Sequence, residues 1–269
     1  MADQLTGRVA LVTGGGGGIG SAIALKLAAD GADVVINDYG DAAPAEAVVQ
    51  QIGDMGRRSM TAVVDVRDRV AMTRMYDDVV EAYGGIDIVV ACAAAMVTGK
   101  DLIDLEWEEI RRQIEVAELG VVNTCQLAAE HMVRQAEAGR APGRFVIIGS
   151  IHADTAFGSC VPYNMAKAAV SHFSEHLTLE LAPHRINVNT VNPGAIDTPG
   201  QRLLHGDDLM DNAGALIPWK RLGTPDDIAG VVRFLVGNDV GYMTGATLRV
   251  DGAMVTGLEL QLPEEEGAL

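Results

Sequence analysis

Thr13-Gly14-Gly15-Gly16-Gly17-Gly18-Ile19-Gly20 follows directly on the apolar run Val9-Ala10-Leu11-Val12. Glycine lets a backbone close on an anion and adopt positive φ without strain. Ile19, Ile23 and Leu27 then recur at helical spacing. The turn therefore feeds a helix whose unpaired N–H groups and partial positive charge suit a pyrophosphate. Outside a strand-turn-helix setting, the same run would be a flexible loop. Asp38 ends the next β-rich run, Val34-Val35-Ile36-Asn37. A carboxylate there accepts hydrogen bonds from adenosine ribose hydroxyls and repels a 2′-phosphate. No lysine or arginine stands at Tyr39, at Gly40 or within the glycine turn, which favours NAD and makes NADP the lesser choice. The alternative is an aspartate that only begins a loop. Further along, Tyr163 and Lys167 stand one helical turn apart on one face. A free phenol titrates near about 10, and an adjacent ammonium lowers a partner by roughly 1–3 units. An amphipathic helix can carry the same pair without chemistry.

Positioning these groups requires strands and helices in alternation. Strands are expected at 9–12, 34–37, 61–64, 86–91, 144–148, 186–191 and 247–250. Helical patterns fill 19–29, 45–55, 70–83, 107–137, 164–181 and 226–236. This alternation implies an α/β fold: a single Rossmann-type, doubly wound domain over 1–269, with a seven-stranded parallel sheet flanked by helices on both faces. The cofactor half would run to about 150 and the catalytic and substrate half from there on. Thr198 to Pro218 is the one long stretch without a core pattern and reads as a mobile lid. The tail around Glu264-Glu265-Glu266 reads as a solvated end or a subunit contact.

The charge is −17, from 20 basic and 37 acidic residues. That balance argues against nucleic acid and anionic membranes as partners, while backbone donors can still hold a phosphate. Cys92, Cys125 and Cys160 have no CxxC spacing and read as reduced thiols. The first residues lack a basic region followed by an apolar signal core. The most apolar stretch, 86–97, is too short to span a bilayer. A cytoplasmic protein is expected. His172 and His176 lie one turn apart but have no third ligand nearby, so no metal site is expected.

With these features assembled, the chain resembles a short-chain dehydrogenase/reductase along nearly its whole length. Thr13-Gly14 with Gly18 and Gly20 matches the family's TGxxxGxG turn. Tyr163-Asn164-Met165-Ala166-Lys167 matches YxxxK, and Ser150 stands thirteen residues earlier, where the family carries its catalytic serine. Pro193-Gly194-Ala195-Ile196-Asp197-Thr198 matches its PG-x-I-x-T segment. The resemblance implies an oxidoreductase acting on a secondary alcohol or its ketone. Tyr163 would be the acid/base, Ser150 would hydrogen-bond the substrate oxygen, and Lys167 would hold the nicotinamide ribose. Gly14, Gly18, Ile19 and Gly20 would line the pyrophosphate, and Asp65, Val66 and Ala93 would also meet the cofactor. Ile196 and Thr198, with Pro193, would orient the carboxamide. Asp65 could equally cap the next helix. The family's four-helix subunit contact further implies a homotetramer.

Two positions depart from the family. Ala91-Cys92-Ala93-Ala94 replaces Asn-Asn-Ala-Gly, and Ala117 replaces the asparagine that holds a relay water. Alanine cannot make that bond, which leaves open a different proton relay or a cofactor-binding regulator without turnover. Ser150-Ile151-His152 and the segment from Pro193 resemble the glucose dehydrogenase branch, so a sugar or polyol dehydrogenase is the second enzymatic reading. That branch carries acids where Ala153 and Met96 stand here. Losing both points to a less polar substrate. His152, Met96 and Cys160 are the candidate substrate contacts, each with an ordinary packing role as its alternative.

Overall fold

The computed structural model describes residues 4–95 and 99–259. Its strands are β1 (Val9–Thr13), β2 (Asp33–Asp38), β3 (Ser59–Val63), β4 (Ile88–Ala91), β5 (Arg144–Ile148), β6 (Asn187–Pro193) and β7 (Thr247–Val250). They form one parallel sheet in the order β3-β2-β1-β4-β5-β6-β7. Helices α1 (Gly18–Ala29), α2 (Ala43–Asp54) and α3 (Arg69–Tyr83) belong to the first half. They are followed by α4 (Trp107–Ile114), α5 (Gly120–Glu137), α6 (Val161–Leu181), α7 (Pro199–His205), α8 (Asp207–Leu216), α9 (Pro225–Leu235) and α10 (Met254–Glu259).

Side-chain alternation along the strands builds two cores. Ala10 and Val12 of β1 point into one, with Ile23 and Leu27 of α1, Val48 of α2 and Val232 of α9. Val9 and Leu11 point into the other, with Tyr76 of α3, Cys125 and Met132 of α5 and Leu177 of α6. Both faces of the sheet are thus covered, as a parallel sheet requires. Strand order reverses direction between β1 and β4, so a crevice opens at their carboxyl ends, where α/β sheets bind ligands.

The helix expected over 107–137 runs the whole way, through α4, a π-helical turn at Glu115–Leu119 and α5. One expectation needs correction. The stretch from Thr198 to Pro218, read as a mobile lid without a core pattern, contains α7 and α8. Thr198 caps α7 by accepting from Gln201 N at 3.3 Å, and Pro199 begins the helix. Arg202 then ties the segment down, holding Asp197 through two bonds of 2.6 and 2.7 Å and reaching Asp207 at 2.9 Å and Asp211 at 3.1 Å. Periodicity missed these helices because they bury little: Leu203 and Leu216 are exposed.

Candidate active site

The glycine turn leaves β1 with positive φ at Gly14 and Gly18. A side chain at Gly20 would run into the Gly14 carbonyl, and one at Gly16 would run into the Asp38 carboxylate. That carboxylate stands over the turn. Its Oδ2 accepts from Gly16 N at 2.7 Å and its Oδ1 from Tyr39 N at 2.8 Å. The first turn of α1 has no side-chain cap and no acidic residue, so its N–H groups remain available to an anion. The residues therefore fit a dinucleotide: a cradle without side chains, a helix N-terminus for the pyrophosphate and a fixed carboxylate for the ribose.

Neighbouring elements close the cradle. The Thr13 hydroxyl accepts from Cys92 N at 3.0 Å and Ala93 N at 3.2 Å, pinning the chain after β4 to the end of β1. A side chain at Gly14 would press on Ala93 Cα at 3.0 Å. Thr198 covers the other side, where a Gly18 side chain would meet its methyl at 3.3 Å. Ile196 is buried and forms a parallel bridge with Gly223, and Pro193 closes β6 opposite Val250. Ile19 is half-buried, packed on the α1 core. Asp65 does not cap a helix. Asp68 caps α3, while Asp65 is gripped by Arg67 through bonds of 2.7 and 3.0 Å that hold its carboxyl below the usual range. Val66 is buried, with Gly120 against its side chain.

Ser150, Tyr163 and Lys167 come together at the end of β5 and the start of α6. The Asn192 side chain accepts from Ser150 N at 3.1 Å, and Ser150 Oγ accepts from His152 N at 3.2 Å. Ser150 also hydrogen-bonds the Tyr163 hydroxyl. Lys167 is 2% exposed; its Nζ donates to the Ile148 carbonyl at 2.8 Å and lies 5.6 Å from the Tyr163 ring centre. Burial pulls the ammonium down to about 8, with the Cys92 thiol opposing. Burial pushes the Tyr163 phenol up to about 12, against the Ser150 hydrogen bond, which lowers it. The expected lowering of Tyr163 is thus reversed. Desolvation of the phenolate outweighs its neighbours, and nearby Lys167 is itself desolvated and committed to a carbonyl.

On the substrate side, His152 packs on Phe157 with ring centres 4.4 Å apart and tilted by 36°, and meets the Tyr163 ring edge-on at 5.1 Å. Cys160 is half-buried at the residue before α6, and burial raises its thiol. Met96 lies outside the described residues, as does the acidic tail. Cys92 is the neighbour that sequence reasoning passed over. Burial raises its thiol to about 12, and it lies close enough to Lys167 to interact electrostatically. Ala117 is fully buried in the π turn, which packs against α6. His172 and His176 are exposed with rings 4.8 Å apart, and no group of three or more metal-ligating side chains occurs among the described residues.

Residues 14–254 match the family model described as enoyl-(acyl carrier protein) reductase. A cyclohexanol dehydrogenase of Rhodococcus sp. is 33% identical, covering 94% of this chain and 99% of its own. An L-rhamnose 1-dehydrogenase (NAD(P)(+)) of Sphingomonas sp. is 34% identical over 95% of this chain and 99% of its own. Among solved structures, a short chain dehydrogenase from Burkholderia cenocepacia in complex with NADP superposes with a TM-score of 0.83 at 36% identity, covering 93% of this chain and 98% of that one. No helix among the described residues is long and apolar enough to cross a membrane.

Proposed function

The chain belongs to the short-chain dehydrogenase/reductase family of oxidoreductases acting on CH–OH groups, and from that premise we propose an NAD-dependent enzyme that interconverts a secondary alcohol and its ketone. The observation that carries this reading is the set of Ser150, half-buried Tyr163 and buried Lys167 brought together at the end of β5 and the start of α6. The nicotinamide cofactor, when bound, would accept the hydride in the oxidative direction and, in its reduced form, supply it in the reductive one. In the reductive direction Tyr163 donates its proton to the ketone oxygen, a role suited to a phenol held protonated by burial. Ser150 donates a hydrogen bond to the same oxygen as charge develops there. Lys167, still mostly charged at neutral pH, keeps N–H donors for the nicotinamide ribose beyond the one given to Ile148. Pro193, Ile196 and Thr198 would flank the carboxamide, and Asp65, Val66 and Ala93 would border the rest of the cofactor.

Support for NAD over NADP lies in Asp38. Its carboxylate is fixed by two backbone donors over Gly16, so a 2′-phosphate would meet a negative charge that cannot swing away. An open groove between α5 and α6, lined by Val122, Ala129, Val133, Phe173 and Leu177 with Glu130, Arg134 and Glu180 beside them, supports a subunit contact on this face, as the homotetramer expected from the resemblance requires. Three free cysteines support a reducing, cytoplasmic setting. NADH and NADPH fluorescence titrations, followed by an alcohol and ketone panel at 340 nm, test the reading. Tighter binding of NADPH would overturn the role given to Asp38, and no turnover on any alcohol or ketone would overturn the activity.

A further inference from the structure

His152, Asn164 and Phe157 form a set in which chemistry decides where the hydrogens lie. The Phe157 carbonyl can only accept, so the Asn164 amide reaches it at 2.9 Å through Nδ2–H. Asn164 Oδ1 is then the atom 2.6 Å from His152 Nδ1. An amide oxygen carries no hydrogen, so the ring nitrogen facing it must donate. Neutral His152 is therefore held as the Nδ1–H tautomer, with Nε2 left as a bare acceptor. Burial favours the neutral ring and the Lys167 charge adds to this, against the Asn164 hydrogen bond. No described residue donates to Nε2, and the side chain is half-buried rather than sealed.

The ring also borders the reaction. It stands edge-on to Tyr163 at 5.1 Å, and its backbone N–H holds the Ser150 hydroxyl. We infer that His152 selects substrates with a hydroxyl on the carbon next to the reacting one, namely vicinal diols and α-hydroxy ketones. This rests on the reading above, in which Ser150 and Tyr163 hold the reacting oxygen. A hydroxyl on the adjacent carbon lies roughly 3 Å from that oxygen, about one hydrogen-bond length, so it can donate to Nε2 while the first oxygen stays in place. A neighbouring methyl ether or carboxylate brings no proton and sets acceptor against acceptor. A bare hydrocarbon leaves Nε2 desolvated and unpaired, which is how a site made for a donor rejects an analogue lacking one.

The test compares trans-1,2-cyclohexanediol, 2-methoxycyclohexanol and cyclohexanol with NAD. The expected result is a kcat/KM for the diol at least tenfold above both others. His152→Phe keeps the aromatic packing and removes the acceptor, so the diol should lose at least tenfold more than cyclohexanol does. Equal use of diol and methyl ether, or a diol advantage that survives in His152→Phe, overturns the inference. A second readout separates it from the proposed activity. In histidine-labelled protein with NADH, nitrogen-15 NMR should show His152 Nε2 unprotonated and shifted by the diol but not by the ether. A protonated Nε2, or one indifferent to the diol, overturns the inference even if alcohols are turned over. Absence of turnover with the expected NMR response overturns only the activity.

Discussion

Replacing Lys167 with methionine should change how stability depends on pH, because the ammonium is buried at a cost. Its side chain is 2% exposed and its folded-state value is about 8 against an ordinary 10.5. Below pH 8 the lysine is charged in both states, and the folded protein bears the whole burial penalty. Between pH 8 and 10.5 the unfolded chain binds more protons than the folded one, so stability from this group rises with pH. Linkage over that window gives about 2 kcal/mol gained by pH 9.5 relative to pH 7. Other groups act in the opposite direction, since Tyr163 and Cys92 are both raised to about 12. Both remain in Lys167→Met, so the difference between the two proteins isolates the lysine. Urea unfolding at pH 7.0, 8.0, 9.0 and 9.5 reads the effect directly. In thermal melts, about 2 kcal/mol corresponds to roughly 4–8 °C for a chain of this size. Wild type should gain on the variant with each step above pH 8. A difference that stays flat or falls would refute a buried, proton-shedding lysine.

Three further outcomes follow from the same geometry. Gly16→Ala places a Cβ against the Asp38 carboxylate and should weaken NADH binding about tenfold, narrowing its margin over NADPH in fluorescence titration. Ala117→Asn puts an amide into a closed π turn beside α6. The expected trade is a severalfold higher kcat from a restored relay and a stability loss of about 1–3 kcal/mol from overpacking, read by steady-state kinetics and urea unfolding. Asp87 is 2% exposed and accepts from Arg140 at 2.7 and 2.8 Å and from Val9 N at 2.8 Å, so Asp87→Ala should cost about 3–5 kcal/mol in the same unfolding assay.

The features legible in the sequence were those whose physics is local. A glycine turn between an apolar strand and a periodic helix states its own geometry, and Tyr163 and Lys167 share a face through helical spacing alone. Asp38 was readable because a strand end places its residue predictably over the turn. Long-range contacts were not readable. Nothing near Ser150 announces that Asn192, 42 residues on, will hold its N–H, or that Thr13 will staple Cys92 and Ala93 from 79 and 80 residues away. The reversal at Tyr163 has the same origin, because spacing supplies the lysine but burial is a property of the packed fold. Signals for α7 were present in Thr198 and Pro199, and the missing buried face hid them. The His152 tautomer depends on Asn164 and Phe157, which a motif centred on Tyr163 and Lys167 treats as filler.

The most direct test of the account is Tyr163→Phe, assayed side by side for NADH binding and for turnover of the best alcohol in the panel. Removing the hydroxyl leaves the glycine cradle and Asp38 untouched, so NADH affinity should stay within about twofold while kcat falls by roughly 10²–10⁴-fold. A variant that binds NADH normally and retains kcat within a few-fold of wild type would contradict the assignment of Tyr163 as the proton donor and acceptor.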